Sequence, residues 1–191
     1  MLINPETLDT NTVYKMMSNT IFPCPIAWIS TVGEGGLNLA PYSYFIPVSS
    51  NPPCVMVSFG AHENGGLKDS IRNIIETGKA TISLAHDIHA EPIENSAEAF
   101  EYGVSEAEQC GIKMCEVMAE FPPMVADARA ALLCSLHQIT ELKDSPMTIA
   151  FLRIDHFYYD DDVIDERHNV KLENIGRVGR DYLVDAKRVK V

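Results

Sequence analysis

The sequence predicts a mainly β fold, a small barrel with peripheral helices. Short apolar and β-branched runs recur at close spacing, glycine- and proline-rich turns separate them, and only a few stretches carry helical periodicity. The 191 residues suit a single domain, 1–191, with one acidic helical excursion at about 87–120.

Residues Met1 to Phe22 read as a lead-in, with one helical turn around Val13, Met16 and Met17 ended by Pro23 and Pro25. Ile26 to Val32 is apolar, aromatic or β-branched and reads as a buried strand. Gly33-Glu34-Gly35-Gly36 is turn chemistry, so Leu37 to Ala40 pairs back until Pro41 breaks the pairing. Tyr44 to Val48 is a further short strand, and Asn51-Pro52-Pro53 a turn. In Cys54 to Phe59, Val55, Val57 and Phe59 share one face.

Leu67, Ile71, Ile74 and Ile75 fall at helical spacing, after Gly65-Gly66 and before the expected cap Gly78. Thr81 to Leu84 is another strand. From Asp87 to Glu120 the acids, Glu94, Glu98, Glu101, Glu106 and Glu108 among them, face the single base Lys113, which reads as a solvated outer face. Ala97, Phe100 and Glu101 suggest a helix ended by Gly103, and Ser105 with Glu108 makes a capping box for a second. Strands resume over Ala131 to Leu142 and Met147 to Tyr159, followed by the turn Asp160-Asp161-Asp162. The tail is basic through Lys171, Arg177, Arg180, Lys187, Arg188 and Lys190, set against Glu173, Asp181 and Asp185.

Net charge is -12, from 27 acids against 15 bases. Nucleic acid and anionic membrane call for a cationic surface, so neither is expected as a partner. The polar, acidic first residues lack the basic start and apolar run of a signal peptide, and no apolar run is long enough to span a bilayer. A cytoplasmic protein is the expectation. Its five cysteines (Cys24, Cys54, Cys110, Cys115, Cys134) are odd in number and irregularly spaced, as reduced thiols are.

The chemistry concentrates between Pro25 and Gly78. A helix start leaves backbone N–H groups unpaired and carries partial positive charge. Glycines before it let an anion approach those groups. Here Gly65-Gly66 precede Lys68, Ser70, Arg72 and Asn73, with Lys68 and Arg72 on one helix face, so the segment suits a phosphate. The local pattern alone favours an ordinary surface helix in which Asp69 balances Lys68. Asn38-Leu39-Ala40-Pro41-Tyr42-Ser43 offers free backbone groups to a flat ring, or is a plain strand end. Gly33 to Gly36 lacks the spacing and following helix of a dinucleotide fingerprint. The His86/His89 and Cys110/Cys115 spacings match no zinc signature, so no metal is assigned.

The run Pro25-Ile26-Ala27-Trp28-Ile29-Ser30-Thr31, followed in order by Asn38 to Phe45, Asn51-Pro52-Pro53, Lys68-Asp69-Ser70 with Asn73, and Thr77-Gly78, resembles the flavin reductase-like family. The tail Gly176-Arg177-Val178-Gly179-Arg180-Asp181-Tyr182 is similar to that family's closing pattern. The resemblance covers most of the chain and is strongest from Pro25 to Leu84. It implies an FMN-binding split β-barrel, a homodimer with flavin at or near the subunit interface, and no catalytic side chain. Thr31, Asn38, Ala40, Pro41, Tyr42 and Ser43 would face the flavin, with Ser58, Phe59 and Gly60 beside it. Lys68, Ser70 and Asn73 would hold the phosphate, and Arg177, Gly179 and Tyr182 would sit near the ring. Cys24 stands where the family often has arginine, and Arg180 where a second glycine is common.

The implied activity is that of an oxidoreductase in which NADH or NADPH reduces FMN and electrons pass to flavin or another small acceptor. A flavoredoxin-like protein that holds FMN without nicotinamide turnover, and a flavin-free split-barrel interaction protein, are the alternatives.

Overall fold

The computed structural model describes residues 1–62 and 64–184. Glu63, and Asp185, Lys187, Arg188 and Lys190 of the basic tail, lie outside the described residues.

Helix α1 (Thr10–Thr20) opens the described fold, longer than the single turn expected. Asp9 is its N-cap, with Oδ1 accepting from the Thr12 N–H at 3.0 Å. Then come β1 (Cys24–Pro25), β2 (Ala27–Gly33), β3 (Gly36–Tyr42), β4 (Phe45–Ser50) and β5 (Pro53–Phe59). Helix α2 (Asp69–Thr77) leads into β6 (Lys79–Leu84). The excursion carries α3 (Ala90–Ser96), α4 (Glu106–Gln109), β7 (Met114–Cys115) and β8 (Met124–Val125). The long strands β9 (Ala130–Glu141) and β10 (Thr148–Tyr159) follow, and β11 (Gly176–Val178) and β12 (Asp181–Leu183) come last.

One antiparallel sheet of order β3-β2-β6-β9-β10-β5-β4 forms the body. It curls round a first core that includes Ile29, Val57, Phe59, Ile82 and Leu152, with Ile71 and Ile74 of α2 filling one end. The rings of Tyr42 on β3 and Phe59 on β5 meet edge-on at 4.6 Å, which brings the two ends of the sheet together. Glycine ends α2 as expected: Gly78 has φ of 72°, and its N–H donates to the Ile74 carbonyl.

A second core lies on the other side of β2 and β6. Trp28, Leu39, Ile93, Met124, Leu133 and Ile175 pack there. Strand β2 is therefore buried on both faces, Ala27 and Ile29 on one side and Trp28 on the other, which is why it opens on an apolar run; the buried Ser30 and Thr31 that follow are hydrogen-bonded, Thr31 to Asn73. Hydroxyls dock the excursion on this face. Thr81 Oγ1 donates to the Pro122 carbonyl at 2.6 Å, and Ser83 Oγ accepts from the Val125 N–H at 3.0 Å. His89 is buried against Trp28, accepting from the His86 N–H at 3.2 Å and meeting the Asp127 carboxylate at 3.0 Å.

Several sequence expectations need correction. Pro41 does not break β3, because Pro41 pairs with Trp28 in register. Strand β3 is an edge strand, and a proline is tolerated where its missing N–H would point off the sheet. Leu67 and Ile75 are exposed, and the buried residues of α2 are Ser70, Ile71, Asn73 and Ile74. The helix expected around Ala97 to Glu101 is not there: the helix is α3, about two turns earlier, and it ends at Ser96. Ser105 precedes α4 as expected, but its side chain makes no cap bond and its Oγ is buried without a partner.

Candidate functional site

A cleft of about 220 Å³ opens between the edge of β3, the start of α2 and the excursion. Asn38, Ala40, Pro41 and Tyr42 form its sheet wall, while Lys68, Asp69, Ser70 and His62 line the helix end. The excursion supplies the opposite wall through residues 96–100 and Glu106. The stretch that reads in the sequence as a solvated acidic face therefore also forms one wall of the cleft.

The helix start is unencumbered. Lys68 is the N-cap residue, and its side chain makes no cap bond. Asp69 is engaged by Arg72, whose Nη1 lies 2.6 Å from Oδ1. Lys68 therefore has no ion-pair partner among the described residues. Arg72 also lies over the Tyr102 ring at 4.9 Å, fastening the excursion to α2.

Behind the cleft runs a buried polar chain. The Tyr42 hydroxyl donates to Ser70 Oγ at 3.0 Å. Asn38 is fully satisfied with its amide oxygen 2.8 Å from Ser70 Oγ and its NH₂ 3.1 Å from Glu106 Oε1. Glu106 Oε2 accepts from the Leu39 N–H at 2.8 Å. Leu39 and Pro41 stand two apart on β3 and share one backbone orientation, so the Leu39 donor points off the sheet, as the missing N–H of Pro41 would, and Glu106 satisfies it. Burial pushes the Glu106 carboxyl above its ordinary range, against the opposing pull of the Leu39 N–H. Burial likewise pushes the Tyr42 phenol up. Sequence reasoning took Glu106 for part of an exposed acidic face, yet it is 8% exposed. Its position opposite an unpaired strand edge was the missing signal, and only the fold supplies that.

A second hollow of about 180 Å³ adjoins the first, and Pro41 and Ala97 belong to both. Arg177, Tyr182 and Ser43 line it. Arg177 Nη1 and the Tyr182 hydroxyl reach Glu94 Oε2 at 2.9 and 2.6 Å. Those two bonds hold the Glu94 carboxyl below its usual range. Burial first, then the bond to Glu94, pushes the Tyr182 phenol up to about 12. Each hollow alone is smaller than the roughly 300–1,000 Å³ usual for cofactor sites, so an extended ligand would run through both.

The remaining expected residues stand elsewhere. Thr31 and Asn73 are buried behind the wall, bonded to each other at 3.1 Å. A Cβ at Gly33 would come within 2.2 Å of Asn73 Oδ1, so this glycine lets α2 approach β2. Phe59 is fully buried in the first core. Ser58 lines a separate apolar groove against α1, together with Ser43. Gly60 meets the Met147 side chain, and a Cβ there would find open contact at 3.8 Å. Gly179 has φ of 58° in the β11–β12 turn, where its carbonyl accepts from Arg177 Nε at 3.0 Å. Cys24 pairs in register with Arg177 and lines neither hollow.

A curled antiparallel sheet with a helix across one end defines the split-barrel class. The chain belongs to the flavin reductase-like family: the model of the flavin reductase like domain matches residues 17–177. It is thus a flavin-dependent oxidoreductase. Among solved structures it is similar to nitrilotriacetate monooxygenase component B from Bacillus cereus, with a TM-score of 0.92 at 27% identity, covering 100% of this chain and 98% of that one. The Pseudomonas fluorescens 2-nitrobenzoate 2-nitroreductase NbaA matches with a TM-score of 0.88 at 25% identity, covering 100% of this chain and 95% of that one. An uncharacterized protein of Aquifex aeolicus is 30% identical over 182 residues, 93% of this chain and 92% of its own length.

Proposed function

We propose that the cleft holds FMN, and that the protein is an NADH- or NADPH-dependent reductase acting on free flavin or another small acceptor. The observation that carries this reading is the helix end of the cleft, where the unpaired Lys68, the uncapped start of α2 and the Ser70 hydroxyl converge, with Tyr42 behind it donating to Ser70. That donor set fits a phosphate. From there the edge of β3 leads past Pro41 toward Arg177 and Tyr182, where a ring system would lie. When bound, flavin supplies the redox chemistry, accepting hydride from the nicotinamide and passing electrons on. The chain's part is to anchor, orient and enclose; no side-chain acid or base is assigned to the reaction. Similarity to a monooxygenase component and to a nitroreductase supports a small-molecule acceptor.

Stopped-flow mixing of the FMN-loaded protein with NADH or NADPH is expected to bleach the flavin band. A band left unchanged by both would point instead to a protein that holds FMN only to relay electrons.

The reading extends to a homodimer in the cytoplasm. Strand β4 is a sheet edge from Ile46 to Ser50 with every residue exposed, including Ile46 and Val48. An apolar edge strand of this kind is a liability in a monomer, and a second copy would cover it. All five cysteines are free, as a reducing compartment would keep them. Among the described residues no helix is long and apolar enough to cross a membrane. Sedimentation equilibrium is expected to return twice the 21.2 kDa chain mass, and a monomer at micromolar concentration would refute the dimer.

A further inference from the structure

We propose that Glu106 is a positioning residue of the flavin site: a proton on its carboxyl turns the Asn38 amide over and releases the Ser70 hydroxyl to the ligand's phosphate. This rests on the FMN reading above.

The buried chain admits two hydrogen-bond patterns, of which the first also lets the Asn38 oxygen accept from the Leu39 N–H at 3.3 Å, a contact the second gives up. With Glu106 ionised, it is the terminal acceptor. Tyr42 donates to Ser70, Ser70 donates to the Asn38 oxygen at 2.8 Å, and the Asn38 NH₂ donates to Glu106 at 3.1 Å. Both hydroxyl protons then point inward, and neither is offered to the cleft. With Glu106 protonated, Oε1 carries a donor and needs an acceptor. Turning the amide over presents the Asn38 oxygen to it. The same turn places Asn38 Nδ2 2.8 Å from Ser70 Oγ, as a donor to it. Ser70 then accepts from both Tyr42 and Asn38, and its own proton is free for an anion in the cleft. The Leu39 N–H bond to Oε2 survives in both patterns.

Charge acts in the same direction. Glu106 has no cationic partner among the described residues and faces Asp69 of α2, so an arriving phosphate meets two carboxylates unless Glu106 takes up a proton. Around it stand Tyr42 of β3, Lys68 and His62 before α2, Glu98 of the excursion and Cys110 at the end of α4. Burial already raises the Glu106 carboxyl, so the proton is within reach. Binding that favours the protonated form is at full strength below the free protein's Glu106 value and weakens as pH rises through it, by up to about tenfold per pH unit.

Glu106→Gln separates this from a merely structural role. The glutamine oxygen keeps the Leu39 N–H bond and its NH₂ donates to Asn38, so the variant mimics the protonated pattern and should fold. FMN and riboflavin affinities would be measured by Trp28 or flavin fluorescence across pH for both proteins, with calorimetry in buffers of different ionisation enthalpy to count protons. The expected result is tighter FMN binding by E106Q at high pH, a flatter profile, and loss of the proton uptake that the wild type shows. His62 and the second ionisation of the FMN phosphate are common to both proteins and cancel in the comparison. FMN profiles and proton counts that coincide in the two proteins would overturn the role of Glu106 while leaving the flavin site standing. Absence of FMN binding to either protein at any pH would overturn both.

Discussion

Replacing Trp28 with alanine is expected to cost about 3–5 kcal/mol of stability, the range for emptying a large aromatic site in a packed core. That is a large share of the roughly 5–15 kcal/mol by which domains of this size are stable. Trp28 is fully buried on the outer face of β2, between the sheet and the excursion. Its Nε1 donates to Ser96 Oγ at 3.0 Å, and Ser96 in turn donates to the Ile93 carbonyl at 3.1 Å. One side chain thus pins the end of α3, where the wall of the cleft begins. Trp28→Phe keeps most of the volume but gives up the indole bond and leaves a small cavity, so about 1–3 kcal/mol is expected for it. Urea midpoints would order the proteins as wild type, Phe, Ala. Limited proteolysis would find new cutting between Ala97 and Ser105 in the alanine variant first. An alanine variant of unchanged midpoint would show that the excursion is held without Trp28, by its bonds to Thr81, Ser83 and Leu39 and the Arg72–Tyr102 contact.

The strands from β2 to β6 and the cap at Gly78 were legible in the sequence because local chemistry decides them. Alternating or continuous apolar residues, glycine turns and a terminal glycine each act within a few residues. Pro41 was misread because a proline's cost depends on whether its N–H would face a neighbour, and edge position is a property of the whole sheet. Leu67 and Ile75 were misread for a related reason: periodicity marks one face of α2, but the partner elements decide how wide the buried stripe is. That stripe includes Ser70 and Asn73, which are polar, and they are buried because Tyr42, Asn38 and Thr31 offer them partners. Of the expected site, the part formed by neighbours in sequence came together in one cleft: Asn38, Ala40, Pro41 and Tyr42 with Lys68 and Ser70. Arg177 and Tyr182 reach only the adjoining hollow. Glu106 was invisible, since a glutamate among glutamates shows nothing of the strand edge that buries it.

Lys68→Ala is expected to weaken FMN binding by about ten- to a hundredfold, from the roughly 1.5–3 kcal/mol that a hydrogen bond to a charged group contributes. The sequence left open whether Asp69 neutralises this lysine. The structure shows Asp69 committed to Arg72 at 2.6 Å, so the full charge of Lys68 is available to the cleft. Lys68 gives the helix only its backbone carbonyl, which accepts from the Arg72 N–H at 3.0 Å, and alanine supplies the same group. Stability should therefore stay within about 0.5 kcal/mol of wild type, as for most surface changes, and the loss would belong to binding. Riboflavin carries the same ring without the phosphate, so its weaker binding should be indifferent to the substitution. Equilibrium titration by flavin fluorescence measures both ligands in both proteins. Equal losses for FMN and riboflavin would mean that Lys68 meets the ring and not the phosphate. An unchanged FMN constant would move the phosphate out of the helix end altogether, toward Arg177, the next cation along the two hollows.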